Sequence, residues 1–244
     1  MKIPATSSVL GGILGLLAAA ATASSQPVTL TFAAQQFGSG LGRSNGTEIP
    51  AESLIRFGYF TIPFEQVVAN AGNPSLLESS FIQLAQTRVG YFGGSTVLDD
   101  TGAVVSNEEP SSPYDEAPGL FGHTLTYDPA ALGLMAARYY LWVVDAPDNA
   151  SATEFGLFSD AGWQSPVFPD SPTFDVATVD PSNPSDLYHG DRGPEQSAVP
   201  GFGSLNKLRP IDNVPVPEPH LPALMLASAG LLAGRRRRAH SSDS

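Results

Sequence analysis

Tyr139–Val144 reads Tyr-Tyr-Leu-Trp-Val-Val, an unbroken apolar run bounded on its C-terminal side by Asp145, Pro147 and Asp148. Successive side chains of a strand point to opposite faces. A strand apolar at every position therefore has no face to give to water and must be covered on both sides. This one stretch demands a layered β fold with a central strand, and it predicts that Trp142 is buried. Glu154–Phe158 is the expected partner strand across the polar turn Asp145–Ser151. The chain carries 24 Gly and 22 Pro in 244 residues, which favours many short strands over long helices. It carries no cysteine, which removes disulfides, cysteine-based zinc sites and thiol nucleophiles.

Along the chain, Val28–Phe32 alternates with Thr29 and Thr31 and predicts a first strand. Gly38, Gly40, Gly42 and Asn45-Gly46 form a loose loop. It is not a phosphate cradle, because Arg43 breaks the glycine spacing and no helix pattern follows. Leu54–Thr61 predicts a second strand. Phe64, Val67, Val68 and Ala71 are spaced as one helical face. Asn73-Pro74 is an N-cap followed by a proline at the first helical position, and it predicts a second helix with Leu77, Phe81, Leu84 and Arg88 on one face. Val89–Phe92 and Thr96–Leu98 are strand-like, broken by Gly93-Gly94. Asp99-Asp100-Thr101-Gly102 is a tight turn between Val97-Leu98 and Ala103–Val105, hence a hairpin. Asn107–Gly119 is an exposed acidic, proline-rich loop, Phe121–Tyr127 a strand, and Asp128-Pro129 the start of a turn or short helix through Ala137. Ser159-Asp160-Ala161-Gly162 is another turn, leading to Trp163, and Phe174–Val179 is a last strand. Residues 181–213 are rich in Pro, Ser, Asn and Gly and read as a spacer.

Little of this carries recognisable chemistry. Asp100-Thr101-Gly102 matches an aspartic-protease tripeptide, but Asp99 stands where those enzymes place an apolar residue, and the second copy would have to come from a homodimer. His123 and His189 are the histidines of the central region, and a lone histidine on a strand is ordinarily structural. The acid pairs Asp99-Asp100, Glu108-Glu109 and Asp115-Glu116 offer oxygens for calcium, yet none shows the spacing of a calcium loop. No metal ligand set and no cofactor motif is assigned. Trp142, Trp163, Tyr139 and Tyr140 suit either core packing or a sugar-stacking platform, and core packing is the expectation. Asn45-Gly46-Thr47 and Asn149-Ala150-Ser151 match the glycosylation sequon by chance.

The two ends are more informative. Lys2, the apolar run Val9–Ala21 and the small residues Ala21-Thr22-Ala23 form a secretory signal peptide over residues 1–23, with cleavage before Ser24. At the other end the uncharged run Leu221–Gly234 would span roughly 21 Å as a helix, short of the roughly 30 Å hydrocarbon core. Arg235, Arg236, Arg237 and Arg238 extend it by snorkelling and hold it on the cytoplasmic side as a stop-transfer cluster. A basic run beside an apolar segment on an acidic protein is a poor nucleic-acid patch, and a buried core helix would not end in four arginines. Between Ser24 and Val216 stand seven basic and 22 acidic residues, a net charge of −15 that repels nucleic acid and anionic polymers.

Val216, Pro217, Glu218 and Pro219, then a short apolar helix, then an arginine cluster, resemble the PEP-CTERM sorting signal over residues 214–244. The resemblance implies cleavage near Pro217–Pro219 by an exosortase, a membrane-embedded cysteine transpeptidase of Gram-negative-type bacteria tied to exopolysaccharide and biofilm production. It covers the tail alone and puts no catalytic residue in this chain.

The sequence thus predicts a mainly β protein: a single sandwich-like domain over residues 24–180 with one or two short helices, flanked by an N-terminal signal helix and a C-terminal transmembrane helix. The expected role is that of an exported, non-catalytic surface or matrix protein. It would be anchored transiently in the inner membrane, then placed at the cell surface or outside the cell, with exopolysaccharide as a partner. A secreted polysaccharide hydrolase or a carbohydrate-binding module is the alternative.

Overall fold

A computed structural model describes residues 26–34, 40–113, 119–165, 172–196 and 204–211. The expected signal peptide and its cleavage site at Ala21, Ala23 and Ser24 lie outside these residues. So do Val216–Pro219, the apolar run Leu221–Gly234, Arg235–Arg238 and the acid pair Asp115-Glu116. Among the described residues no helix is long and apolar enough to cross a membrane.

The fold is mainly β. Its strands are β1 (Val28–Ala34), β2 (Leu41–Gly42), β3 (Leu54–Phe60), β4 (Phe81–Arg88), β5 (Phe92–Leu98), β6 (Val104–Glu108), β7 (Phe121–Tyr127), β8 (Tyr139–Val144), β9 (Glu154–Ser159), β10 (Thr173–Asp175), β11 (Leu187–His189), β12 (Asp191–Gln196), β13 (Ser204–Lys207) and β14 (Arg209–Pro210). Two short helices, α1 (Phe64–Ala69) and α2 (Pro74–Glu78), fall between β3 and β4. The first sheet runs β10-β1-β7-β5-β6. The second runs β11-β9-β8-β3-β4 with β14 also on β9, and a small third sheet runs β12-β13-β2.

The first two sheets face each other across one core. Leu30 and Phe32 of β1 and Leu125 and Tyr127 of β7 meet Ile55 and Phe57 of β3 and Tyr139, Leu141 and Val143 of β8. Phe32 and Phe57 stack across the gap with ring centroids 4.8 Å apart. The buried Tyr127 and Tyr139 hydroxyls hydrogen-bond to each other across the same gap. Burial pushes both phenols above the ordinary tyrosine range.

The other face of the second sheet has a core of its own. Tyr140, Trp142 and Val144 alternate with the first set along β8 and pack with Phe60, Phe81, Phe155 and Leu157 beneath Val67 of α1 and Leu77 of α2. All six residues of β8 are buried, Trp142 at 1 % exposure, as the doubly apolar run requires. β9 pairs antiparallel with it, Trp142 opposite Leu157. The Asp99–Gly102 turn closes the β5–β6 hairpin as expected, with Asp99 Oδ1 accepting from the Thr101 N–H, the Thr101 hydroxyl and the Ala103 N–H.

Three expectations are corrected. Residues 81–88, read as the continuation of a helix with Phe81, Leu84 and Arg88 on one face, form strand β4; α2 ends at Glu78. Here the pairing of β3 with β4 shifts register between Phe57 and Gly58, so Leu84 is an extra residue in the ladder. That bulge turns both Leu84 and Ala85 into the core between the sheets, while Phe81 is buried on the opposite, helix-covered face, and the resulting spacing of three and four imitates a helix. The strand predicted over Phe174–Val179 stops at Asp175 and turns into a 3-10 helix at Val176–Thr178, capped by Asp175 Oδ1 accepting from the Ala177 N–H. Finally, part of the 181–213 spacer is integral to the fold. β11 and β14 add to β9, and β13 runs parallel to β2. The Asp180, Asn183 and Asp186 side chains close the turns that lead there.

Candidate ligand cavity

β8 and β9 place Trp142, Val144 and Phe155 on the helix-covered face of the second sheet. α2 does not cover that face to its end. Asn73 caps α2 by accepting from the Leu76 N–H, and Pro74 occupies its first turn. Ser75 and Glu78 of this helix stand above the sheet, the 145–153 turn brings Asn149, Ala150 and Ala152 to the same side, and Ile211 follows β14. Together with Pro74, Trp142, Val144 and Phe155 these residues enclose a cavity of about 430 Å³, within the size range of small-ligand pockets.

Apolar groups form the floor and polar groups sit at the rim. Trp142 contributes its indole, and its Nε1–H is buried with no acceptor among the described residues. Phe155 lies 6.2 Å from the indole, ring centroid to ring centroid, and stacks on His189 at 4.6 Å. Behind the floor, Arg56 of β3 is buried at 8 % exposure. Its guanidinium lies 4.7 Å from the Phe81 ring centroid and 5.2 Å from that of Trp142. Arg56 Nε donates to Gln83 Oε1 and Nη1 to Glu78 Oε2, each at 2.8 Å. Glu78 Oε2 also accepts from Asn149 Nδ2 at 3.1 Å, which ties α2 to the 145–153 turn.

That turn is itself pinned. Asp145 is buried and accepts from the Thr153 hydroxyl and from the N–H groups of Thr153 and Glu154, with Arg43 Nη2 3.3 Å away. Burial by itself would raise its carboxyl, but these hydrogen bonds and Arg43 outweigh burial and hold it below the ordinary carboxylate range. Glu154 in turn accepts from the Ser44 N–H and hydroxyl, which fastens the Arg43–Thr47 loop beside it. These contacts pin the turn that supplies Asn149, Ala150 and Ala152 to the cavity.

The residues singled out from the sequence are scattered. His123 is buried in the first sheet, with Nε2 2.8 Å from the Thr96 hydroxyl. Thr96 donates onward to Asn107 Oδ1, so the ring nitrogen is the donor in that pair. Nδ1 has no partner among the described residues, and burial lowers the imidazole to about 4. Such a ring stays neutral and serves packing. Asp100, Thr101 and Gly102 sit in the exposed hairpin turn, away from Glu108 and Glu109 at the far end of β6. No group of three or more His, Asp or Glu side chains is placed to hold a metal among the described residues. Tyr139, Tyr140, Trp142 and Trp163 are all buried and form no exposed aromatic row.

Most of the cavity was not singled out as a site. Glu78 and Ser75 follow a helix cap that signals structure only, Asn149 hides in a sequon, and Ile211 falls in the presumed spacer. Only a three-dimensional pairing brings them together. Comparison of the chain with protein-family models, with curated proteins and with solved structures returned no match.

Proposed function

We propose that this is an exported bacterial surface or matrix protein, sorted by an exosortase, whose working part is a sandwich-like β domain without catalysis of its own. The observation that carries the reading is the order of parts in the tail. An extended, proline-stiffened segment at Val216–Pro219 precedes the apolar run Leu221–Gly234, and Arg235–Arg238 close it. The signal peptide at residues 1–23 agrees with this, since both ends then direct the chain to the membrane. On this reading an N-terminal signal helix and a C-terminal transmembrane helix flank the domain, the chain rests in the inner membrane until cut, and its later neighbours are exopolysaccharides.

The test compares membrane and extracellular fractions by blotting, for the wild type, for a Pro217→Ala/Glu218→Ala variant and for a variant with the four arginines neutralised. The Pro217/Glu218 variant should accumulate uncut in the inner membrane, heavier by the tail, and the arginine variant should mis-orient. Release of the Pro217/Glu218 variant at the wild-type size and rate would reduce the tail to a plain anchor. N-terminal sequencing of exported material should begin at Ser24.

A carbohydrate-binding role is the second reading, and the cavity favours it. Glu78 is the one carboxylate lining the cavity among the described residues. Glycoside hydrolysis ordinarily needs two carboxyl groups about 5–10 Å apart across the bond to be broken. The lining therefore suits holding a ligand better than cutting one.

A further inference from the structure

We propose that the cavity between α2 and the 145–153 turn binds an uncharged sugar ring, a terminal or branch unit of a neutral polysaccharide. Its lining selects for that chemistry by three separate demands. Pro74, Ala150, Ala152 and Ile211 give the cavity its accessible apolar surface, above the buried Trp142, Val144 and Phe155, which suits the C–H face of a pyranose. A ligand that was apolar throughout would leave the rim groups Glu78, Asn149 and Ser75 facing carbon, and desolvating polar groups without partners is unfavourable. A ring with hydroxyls around its edge satisfies both.

The hydrogen-bonding capacity of the rim matches hydroxyls in particular. Glu78 Oε2 is taken by Arg56 and Asn149. Its Oε1 accepts no hydrogen bond among the described residues, and the side chain is 47 % exposed, so it can accept from a ligand O–H. The buried indole N–H of Trp142 lacks an acceptor, and a ring or hydroxyl oxygen settling on the floor supplies one after a small movement of the wall. A sugar hydroxyl both donates and accepts, and so answers both groups.

Charge removes the acidic sugars. Arg56 is held behind the floor by Gln83, Glu78 and two aromatic rings. It is not presented to a ligand carboxylate. Glu78 at the rim and the net charge of −15 between Ser24 and Val216 add repulsion against a uronate. A cationic ligand would find the face of Trp142 already covered by Arg56.

The proposal rests on the surface-protein reading for the source of the glycan. The two fail separately, because sorting is read from fractionation and binding from titration. The experiment uses the full-length chain in a detergent without a sugar head group, carrying Trp163→Phe so that Trp142 is the remaining tryptophan of the two. Four probes are titrated: a neutral glucan oligosaccharide, an N-acetylglucosamine oligomer, a galacturonate oligomer and choline. At least one neutral probe should shift Trp142 emission with a saturable affinity on the order of millimolar, as expected for a small ligand.

Ala152→Leu, which fills the cavity, should abolish the shift. Ala150→Leu, at an exposed position on the rim, provides the same test should the first variant fail to fold. Followed by calorimetry, Trp142→Phe should weaken binding about tenfold, equivalent to one lost hydrogen bond. Glu78→Gln should bind nearly as well as wild type, because its amide oxygen can keep Arg56 and Asn149 while its N–H donates to a ligand hydroxyl oxygen, whereas Glu78→Ala should not. Preference for galacturonate or choline would overturn the proposal. So would neutral-sugar binding that survives both cavity-filling variants, or no neutral-sugar binding at about tens of millimolar.

Discussion

Trp142 joins two effects that oppose each other when it is replaced. It is 1 % exposed, with Phe60, Phe81 and Phe155 around it at ring distances of 6.2, 5.3 and 6.2 Å. An aromatic side chain buries roughly 150–250 Å², which at about 25 cal/mol per Å² is worth about 4–6 kcal/mol as an upper bound. Trp142→Ala keeps the β-carbon and leaves a hole beneath Arg56, so its expected cost is about 3–5 kcal/mol. Trp142→Phe loses only part of the ring and also deletes the buried N–H that lacks an acceptor. An unsatisfied buried donor costs about 1–3 kcal/mol, so this deletion offsets the lost packing and the net change should stay within about 1 kcal/mol. For a chain of this size each kcal/mol moves Tm by about 2–4 °C. Thermal unfolding followed by circular dichroism should therefore show Trp142→Ala melting about 6–20 °C below wild type and Trp142→Phe within about 4 °C. If phenylalanine proved as damaging as alanine, the indole N–H would have a partner in the folded protein, and the account of the cavity floor would fail with it.

Two further perturbations follow from the same geometry. A β-carbon at Gly58 would stand 2.1 Å from the Ile82 carbonyl oxygen, backbone against backbone at the β3–β4 bulge. Gly58→Ala should therefore cost about 2–4 kcal/mol in urea unfolding, and a neutral result would show that the two strands are not so closely apposed. His123, lowered to about 4 by burial, stays neutral in the folded chain while the unfolded chain takes up a proton below about 6.5. Its contribution is thus fully present above pH 6.5 and lost as pH falls towards 4, by up to about 3 kcal/mol. His123→Gln should flatten that part of the stability profile, and an unchanged slope between pH 6.5 and 4 would refute the buried neutral ring.

The sequence made the centre of the fold legible where local pattern and tertiary role coincide. Tyr139–Val144 could only be an interior strand, and Asn73-Pro74 could only begin a helix; both hold. β4 was misread because a bulge puts Leu84 and Ala85 in one core while Phe81 is buried in the other, and together they give the three-and-four spacing of a helix. Nothing in residues 81–88 alone records that the extra residue is taken up against Gly58 on another strand. The 181–213 segment misled for a different reason. Its Ser, Asn and Asp do make turns, as their side-chain hydrogen bonds show, but those turns join strands whose partners lie far back in the chain, at β2 and β9. Composition reports that a turn exists, and it is silent on what the turn connects. The cavity shares this blindness, being assembled from α2, β8, β9, the 145–153 turn and Ile211.

The doubly covered β8 raises a question of alignment. In most strands a slip of one residue is forbidden because it would drive polar side chains into the interior. Here a slip would exchange Tyr139, Leu141 and Val143 with Tyr140, Trp142 and Val144, and oil would replace oil on both sides. Solubility therefore cannot set the frame of this strand. A few polar contacts and one shape must do so: the Tyr127–Tyr139 hydroxyl pair, the Ser159 hydroxyl donating to the Tyr139 carbonyl at 2.7 Å, and an indole that fits only where Arg56 can lie against it. These groups act as the fiducial marks of the domain, telling an otherwise ambiguous strand where to stop sliding.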